Sequence, residues 1–365
     1  MAEAVRGPLA DYHRSQGATL AEYHGAVVPA RFSDPVAEHR AVRKASGILD
    51  FSFRAKLALS GEDRVRFLNG MVTNDVKGLQ PGQGIYALLL NVQGQILADL
   101  KIYAAQDQFL IDVDYDLLEK VQLFLDRYII AAQVELEPVE LAAVSFQGPR
   151  ARPLLEKTLH IDLPEMNPFD HFTSNYAGFP VRVVRNQTSG EEGYEVWISA
   201  KGMLGLWGGA CGQAPTYDML PIGSEALETL RIEAGIPTYG DDLYEDTLAL
   251  EAGLLNALNF TKGCYLGQEI VERARSRGRV NWTLAGLLID GPQPPAVGEK
   301  LVQGEKEIGE ITSACFSPTL NRTIALGYLR REVAEPGTSL GLKDGKTSLE
   351  VTKLPFYSSA KSSEG

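Results

Sequence analysis

The stretch that most constrains the fold runs from Gly84 to Ala104 and reads GIYALLLNVQGQILADLKIYA. Two strand-like runs, 84–90 and 95–104, flank Asn91-Val92-Gln93-Gly94. Turn residues between apolar alternating runs predict a β-hairpin. With Val92 and Gln93 as the central turn residues, Asn91 faces Gly94, and counting back puts Tyr86 opposite Asp99. Side chains alternate across a strand, so Asp99, Lys101 and Tyr103 share one face while Leu100 and Ile102 take the other. Tyr86, Asp99 and Tyr103 then make an aromatic-flanked carboxylate. On the residues alone, the same face reads equally as a solvated strand with ordinary amphipathic tyrosines.

A second stretch, Lys262 to Gly278, reads KGCYLGQEIVERARSRG. Gly263 and Gly267 suggest backbone conformations or close approaches that a Cβ would block. Cys264 sits near Lys262 and an arginine run at 273, 275 and 277, and positive neighbours favour a thiolate. The plainer alternative is a small buried hydrophobe followed by a solvated basic helix face.

A chain of 365 residues has room for two or three domains and a sizeable core. Its net charge of -12 argues against a nonspecific nucleic-acid coat or a cationic membrane-surface protein. Three scattered cysteines make no disulfide framework, and neither they nor the five histidines fall at metal-ligand spacings, so no metal is expected. The N-terminus lacks a signal-peptide core and no apolar run approaches the ~18 residues of a membrane span. A cytoplasmic location with no membrane partner is the expectation.

Along the chain, residues 1–35 suggest an arm or short helix, and 34–47 a helix ending near Gly47. Residues 56–60 read as a strand and Ser60-x-x-Asp63 as a helix start. Further helices are expected over 116–128, 151–159 and 224–234, the last capped by Ser224. Glu195 falls in a second hairpin, where alternation alone makes it an outward polar residue. Arg231, one position past the apolar stripe of its helix, reads alone as a surface arginine. After Val280, short strands separated by Gly, Pro and Asn turns suit a small β-barrel.

K-G-C-Y-x-G-Q-E with a trailing basic residue and glycine resembles the signature of the YgfZ/GcvT family, folate-binding proteins related to the glycine cleavage T-protein. The segments EHRAVRKASGILDFS, SGEDRVRFLNGMVTNDV, SGEEGYE and LRIEAGIP extend the likeness over roughly residues 34–356. The resemblance implies an α+β fold, a three-part ring around a central folate cavity with a C-terminal β-barrel. Residues 1–280 would form the folate-binding region, with a break near 145. Residues 281–356 would form the barrel and 357–365 a frayed tail.

The resemblance also assigns roles. Tyr86, Asp99, Tyr103, Glu195 and Arg231 are expected to contact tetrahydrofolate or a one-carbon derivative, with Asp99 near its reactive nitrogens. One departure is Ala98, where the family carries a second acid. Lys262, Cys264 and Asp99 are the expected working groups, with Gly263, Tyr265, Gly267, Gln268, Glu269, Arg273 and Arg277 completing the motif. The motif implies a factor for iron–sulfur cluster assembly or repair, with iron–sulfur proteins or assembly factors as partners. The alternative is an aminomethyltransferase, a folate-dependent one-carbon transferase drawing on a lipoyl-bound intermediate. A third expectation is a tRNA- or protein-binding adaptor using the arginine run.

Overall fold

A computed structural model describes residues 4–130, 132–277, 280–343, 345 and 347–359, with Arg277 as backbone only. The architecture is mixed α+β: three sheets form a ring, and a closed barrel follows. One sheet of the ring has five strands, ordered Gly84–Leu90, Ile96–Ala104, Gln108–Asp114, Arg54–Ser60 and Glu135–Val139. The other large sheet has six, and at its centre Ala142–Gln147 pairs with both Gly193–Ile198 and Ser46–Asp50. The chain therefore crosses from the six-stranded to the five-stranded sheet between Asp50 and Arg54 and returns between Val139 and Ala142, a few residues before the suggested break near 145.

Each sheet buries one face against helices. The even-numbered residues Ala98, Leu100, Ile102 and Ala104 point into a core with Phe67, Leu68 and Met71 of the Arg64–Met71 helix and Val121 and Leu125 of the Leu118–Asp126 helix. Period-two alternation leaves Asp99, Lys101 and Tyr103 on the opposite face, toward the middle of the ring. The Pro35–Lys44 helix starts where Asp34 accepts from the amides of Val36 and Ala37, a side-chain cap with Pro at the first turn. The Ser224–Glu233 helix starts one residue earlier than expected: Gly223 is its cap and Ser224 lies inside. The first 35 residues carry more than an arm. Ala10–Ser15 is helical, and Val5–Arg6, Ala26–Arg31 and Thr19–Tyr23 form a small sheet.

The barrel closes in the order Trp282–Ile289, Arg322–Arg330, Lys306–Ser317, Lys300–Gln303, Ser339–Leu342 and Ser348–Thr352. Full closure removes exposed strand edges. It is fastened to the ring through Glu233, which is fully buried. That carboxylate meets His39 at 2.9 Å and Arg43 at 2.7 Å on the ring side, and accepts from Ser317 and Thr319 on the barrel side.

The central hairpin forms, but its register differs from the simple count. Tyr86 faces Lys101, and Leu88 faces Asp99. Two irregularities cause this. The turn is closed by Asn91 and Gln95, not Asn91 and Gly94: the Asn91 amide donates to the Gln95 carbonyl at 3.0 Å, and Asn91 Oδ1 accepts from the amides of Gln93 and Gln95. Gly94 sits at φ +74°, the left-handed position of a three-residue hairpin loop. A bulge between Leu89 and Leu90 adds the second step. A slip of one would have turned every side chain to the wrong face. A slip of two keeps Tyr86 and Asp99 together.

Candidate functional site

A cavity of about 420 Å³ opens at the centre of the ring. The hairpin contributes Tyr86, Asp99 and Lys101 to its wall, and the N-terminal sheet contributes Tyr23 and His24. Arg54, Asn186, Arg231 and Leu354 come from four further parts of the chain. This volume lies within the range of small-molecule pockets.

Asp99 is the chemical centre of the wall. It is 8% exposed, and its Oδ2 accepts a hydrogen bond from the Tyr86 hydroxyl at 3.2 Å. Its Oδ1 is buried without a hydrogen-bond partner. Burial, then the Asp114 carboxylate, raise its pKa, while Arg54, Lys101 and the Tyr86 hydroxyl pull the other way. Burial and the neighbouring Asp99 charge keep Tyr86 a neutral phenol, with its pKa raised well above its ordinary value. A buried carboxylate with one empty acceptor and a raised proton affinity suits an amine ligand or proton transfer.

Behind Asp99 lies a buried ion network that fixes the floor. Arg54 donates to Asp112 at 2.7 Å and also pairs with Asp114. Lys56, fully buried, meets Asp112 at 2.9 Å and lies 4.7 Å from the Trp197 ring centre. Burial opposes the Asp112 charge, but Arg54, Lys56 and Lys101 overcome it and hold the carboxyl well below the usual range. Such a network is costly to break, because removing one member strands the others.

The expected ligand contacts separate into two groups. Tyr86 and Asp99 face the cavity together. Tyr103 shares their strand face yet does not line it: it is fully buried, edge-on to Trp197 and His171 at 5.0 and 5.6 Å. Gly84 lies opposite and admits the Tyr103 ring, which a Cβ there would meet at 2.7 Å. Glu195 is also fully buried, not the outward residue that alternation suggests. Its Oε2 accepts from Trp197 Nε1 at 2.8 Å and its Oε1 from Asn186, which stands between it and the cavity.

Arg231 reaches the cavity wall, but its donors are committed. It donates to Glu228 at 2.8 Å, Asp242 at 2.7 Å, Asp241 at 3.3 Å and Ser313 at 2.9 Å. Ser313 belongs to the barrel, so Arg231 ties barrel to ring. His24, Glu228 and Asp241 are, among the described residues, the one group whose ligand atoms come close enough to hold a metal ion. The Arg231 guanidinium already neutralises both of those carboxylates and competes with any cation there.

The Lys262–Arg277 segment is placed differently. Lys262 Nζ donates to three backbone carbonyls, Asn69, Val72 and Asn74, at 2.6–2.7 Å. It therefore caps the C-terminal end of the Arg64–Met71 helix, where a cation is favoured. Burial pulls its pKa down to about 8. Cys264 is exposed, and neither it nor Lys262 lines the cavity. The positive groups expected to act on Cys264 have other partners. Arg273 pairs with Glu269 at 2.6 Å; Arg275 stacks on Phe260 and lies 3.8 Å from Glu272. The Arg277 side chain lies outside the described residues.

The two glycines part company. Gly267 sits at φ +82°, and a Cβ there would meet the Asn91 carbonyl oxygen at 2.6 Å. It seats the segment against the hairpin turn, where Gly94 in turn makes room for Ile270. Gly263 has an ordinary φ and nothing near a built Cβ, so the expected close approach is absent there. Tyr265 is buried in a core with Leu88, Leu90 and Val271. Gln268 Oε1 accepts from the Tyr265 amide at 3.3 Å, closing the turn before the Gln268–Arg277 helix. The segment is a brace for the hairpin.

Sequence reasoning missed Lys101, Asn186, His24 and Arg54 as wall residues. For Lys101 the signal was present, since strand alternation already put it on the face of Asp99.

Three sheets around a small-molecule cavity, with a closed barrel fastened behind, define the class. Residues 9–262 match the GCVT N-terminal domain, and residues 283–358 match the glycine cleavage T-protein C-terminal barrel domain. The chain belongs to the glycine cleavage T-protein family. It is 31% identical over 353 residues to an aminomethyltransferase of Halothermothrix orenii, covering 96% of this chain and 99% of that one. To an aminomethyltransferase of Cutibacterium acnes it is 34% identical over 370 residues, covering 96% and 98%. The structure of glycine cleavage system aminomethyltransferase T from Bartonella henselae superposes with a TM-score of 0.90, covering 96% of this chain and 98% of that one. At 24% identity this last likeness speaks for the fold alone. No helix among the described residues is long and apolar enough to cross a membrane.

Proposed function

We propose that this protein binds tetrahydrofolate in the central cavity and transfers a one-carbon unit to it, as an aminomethyltransferase. The observation that carries the reading is Asp99, a buried carboxylate on the wall of a cavity of about 420 Å³ whose Oδ1 has no partner in the protein. An orphaned buried acceptor costs about 1–3 kcal/mol, and a ligand N–H removes that cost. The relatives named above as aminomethyltransferases, matched over nearly their full length, support the same reading.

The reaction would start from a thioether-bound aminomethyl group on a lipoyl carrier. The C–S bond and the C–N bond to the amino group both break, their electrons staying on sulfur and on nitrogen, and the methylene forms two new bonds to the two amine nitrogens of tetrahydrofolate. The two N–H protons leave with sulfur and with the departing ammonia. Asp99 accepts a hydrogen bond from the reacting amine and offsets the positive charge that develops on it. Tyr86 holds the carboxylate in place through its other oxygen. Ammonia release from an aminomethyl-lipoyl carrier, dependent on tetrahydrofolate and lost in Asp99→Asn, tests this. Carrier-independent folate binding with no ammonia release would refute the transferase reading.

A second reading rests on the exposed Cys264 within the K-G-C-Y-x-G-Q-E motif of the YgfZ branch. There the protein supports iron–sulfur cluster assembly or repair, including clusters of tRNA-modifying enzymes, and Cys264 is the working thiol. One cysteine cannot hold a cluster alone, so it would react or share a site with a partner. Restoration of a cluster-dependent enzyme by the wild type but not by Cys264→Ser favours this reading; equal restoration by both removes it.

A further inference from the structure

Four side chains able to carry positive charge reach the cavity wall: His24, Arg54, Lys101 and Arg231. Three already have carboxylates. Arg54 is held by Asp112 and Asp114, Arg231 by Glu228, Asp241 and Asp242, and His24 lies 3.6 and 3.7 Å from Asp114 and Asp241. Lys101 alone makes no hydrogen bond or ion pair among the described residues. It is half-buried, on the strand face of Asp99 and directly opposite Tyr86 and Asp112. Burial and then the Arg54 charge lower its pKa, while the Glu195, Asp112 and Asp99 carboxylates pull the other way without accepting a hydrogen bond from it.

Lys101 lies in the field of the Asp112 and Asp99 carboxylates, but its ammonium donors are bonded to neither. The wall thus offers one uncommitted acceptor, Asp99 Oδ1, and one uncommitted cation, Lys101. They are two residues apart on one strand, roughly 7 Å along it, and the flexible lysine stem extends that reach. We propose that Lys101 is an anion subsite that receives a carboxylate of the ligand whose amine meets Asp99. The subsite gives the cavity a preference for amphoteric ligands, amine at one end and acid at the other. Arg231, which the family resemblance places against the folate, has no donor left to offer. The proposal rests on the tetrahydrofolate reading, because that molecule carries both groups.

The test compares wild type, Lys101→Met and Lys101→Arg in anaerobic titrations with tetrahydrofolate and with 6-methyltetrahydropterin, which lacks the acidic tail. Lys101→Met should bind tetrahydrofolate roughly 10- to 100-fold more weakly, the loss of a charge-assisted hydrogen bond. Binding of 6-methyltetrahydropterin should be unchanged, and Lys101→Arg should retain most of the tetrahydrofolate affinity. The ligand-free Lys101→Met protein should also melt higher than wild type, since an unpaired desolvated charge is gone. Equal losses for both ligands would put the contact on the ring and overturn the carboxylate assignment. Unchanged tetrahydrofolate affinity, or a lower melting temperature with unchanged affinity, would overturn the subsite. If the wild type binds neither ligand, it is the tetrahydrofolate reading that fails, and the melting result still reports on whether Lys101 is structural.

Discussion

The hairpin at 84–104 and the segment at 262–277 both looked chemical, and the structure gives them different work. In the hairpin, ordinary alternation hides an acceptor and a cation with no partner. In the later segment, an unusual run of residues resolves into contacts that are nearly all satisfied. Lys262 has three carbonyls, Arg273 has Glu269, and Gly267 has a turn to lie against. An unsatisfied buried group points to a site where its residue also lines a cavity, as Asp99 does; the Tyr265 hydroxyl is buried without a partner but lies away from the cavity. Odd composition is not itself a sign of reactivity.

The comparison can be broken first at Asp99. Asp99→Asn should lower the rate of one-carbon transfer roughly 100- to 10,000-fold, the range for a positioned acid or base, measured as tetrahydrofolate-dependent ammonia release. Lys262→Met should not resemble it. That variant should lose about 1–3 kcal/mol in urea denaturation, because three carbonyls lose a donor, while transfer per folded molecule stays within a few-fold of wild type. A large loss of turnover at unchanged stability would return Lys262 to the catalytic group.

Gly267→Ala and Gly263→Ala sharpen the contrast inside the segment. The first forces a Cβ into a left-handed backbone against Asn91 and should cost about 1–3 kcal/mol from strain alone. The second meets open space and should stay within about 0.5 kcal/mol of wild type.

Acid should act on the hairpin side. Burial and the neighbouring Arg182 lower the pKa of His171 from 6.5 to about 4. Its Nε2 contacts the Ala104 carbonyl at 2.9 Å, at the end of the hairpin. The unfolded chain takes up this proton first, so stability falls as pH drops from about 6.5 to about 4 and levels off below. Urea midpoints of wild type and His171→Gln over that range should converge; parallel curves would clear His171.

Much of the fold was legible because it rests on short-range rules. The hairpin's faces, the 35–44 helix and the barrel strands follow from periodicity and turn residues. The N-terminal sheet was not, since Val5–Arg6 and Ala26–Arg31 pair in parallel across an intervening helix, which no local pattern announces. The site was half legible. Alternation found Asp99 and Tyr86 and even placed Lys101, but burial decides what a face does. Tyr103 lies beneath Gly84 and Glu195 behind Asn186 because other strands cover them. Arg231 could not be judged without its partners: Glu228 lies one turn back on its own helix, but Asp241, Asp242 and Ser313 come from beyond it.

The most direct test of the central claim is an anaerobic tetrahydrofolate titration of wild type, Asp99→Asn and Cys264→Ser side by side. The account predicts saturable binding by wild type and Cys264→Ser with equal affinity, and at least about tenfold weaker binding by Asp99→Asn, the loss of a charged hydrogen bond. Full affinity in Asp99→Asn with loss in Cys264→Ser would contradict it, and would move the ligand from the hairpin to the segment that braces it.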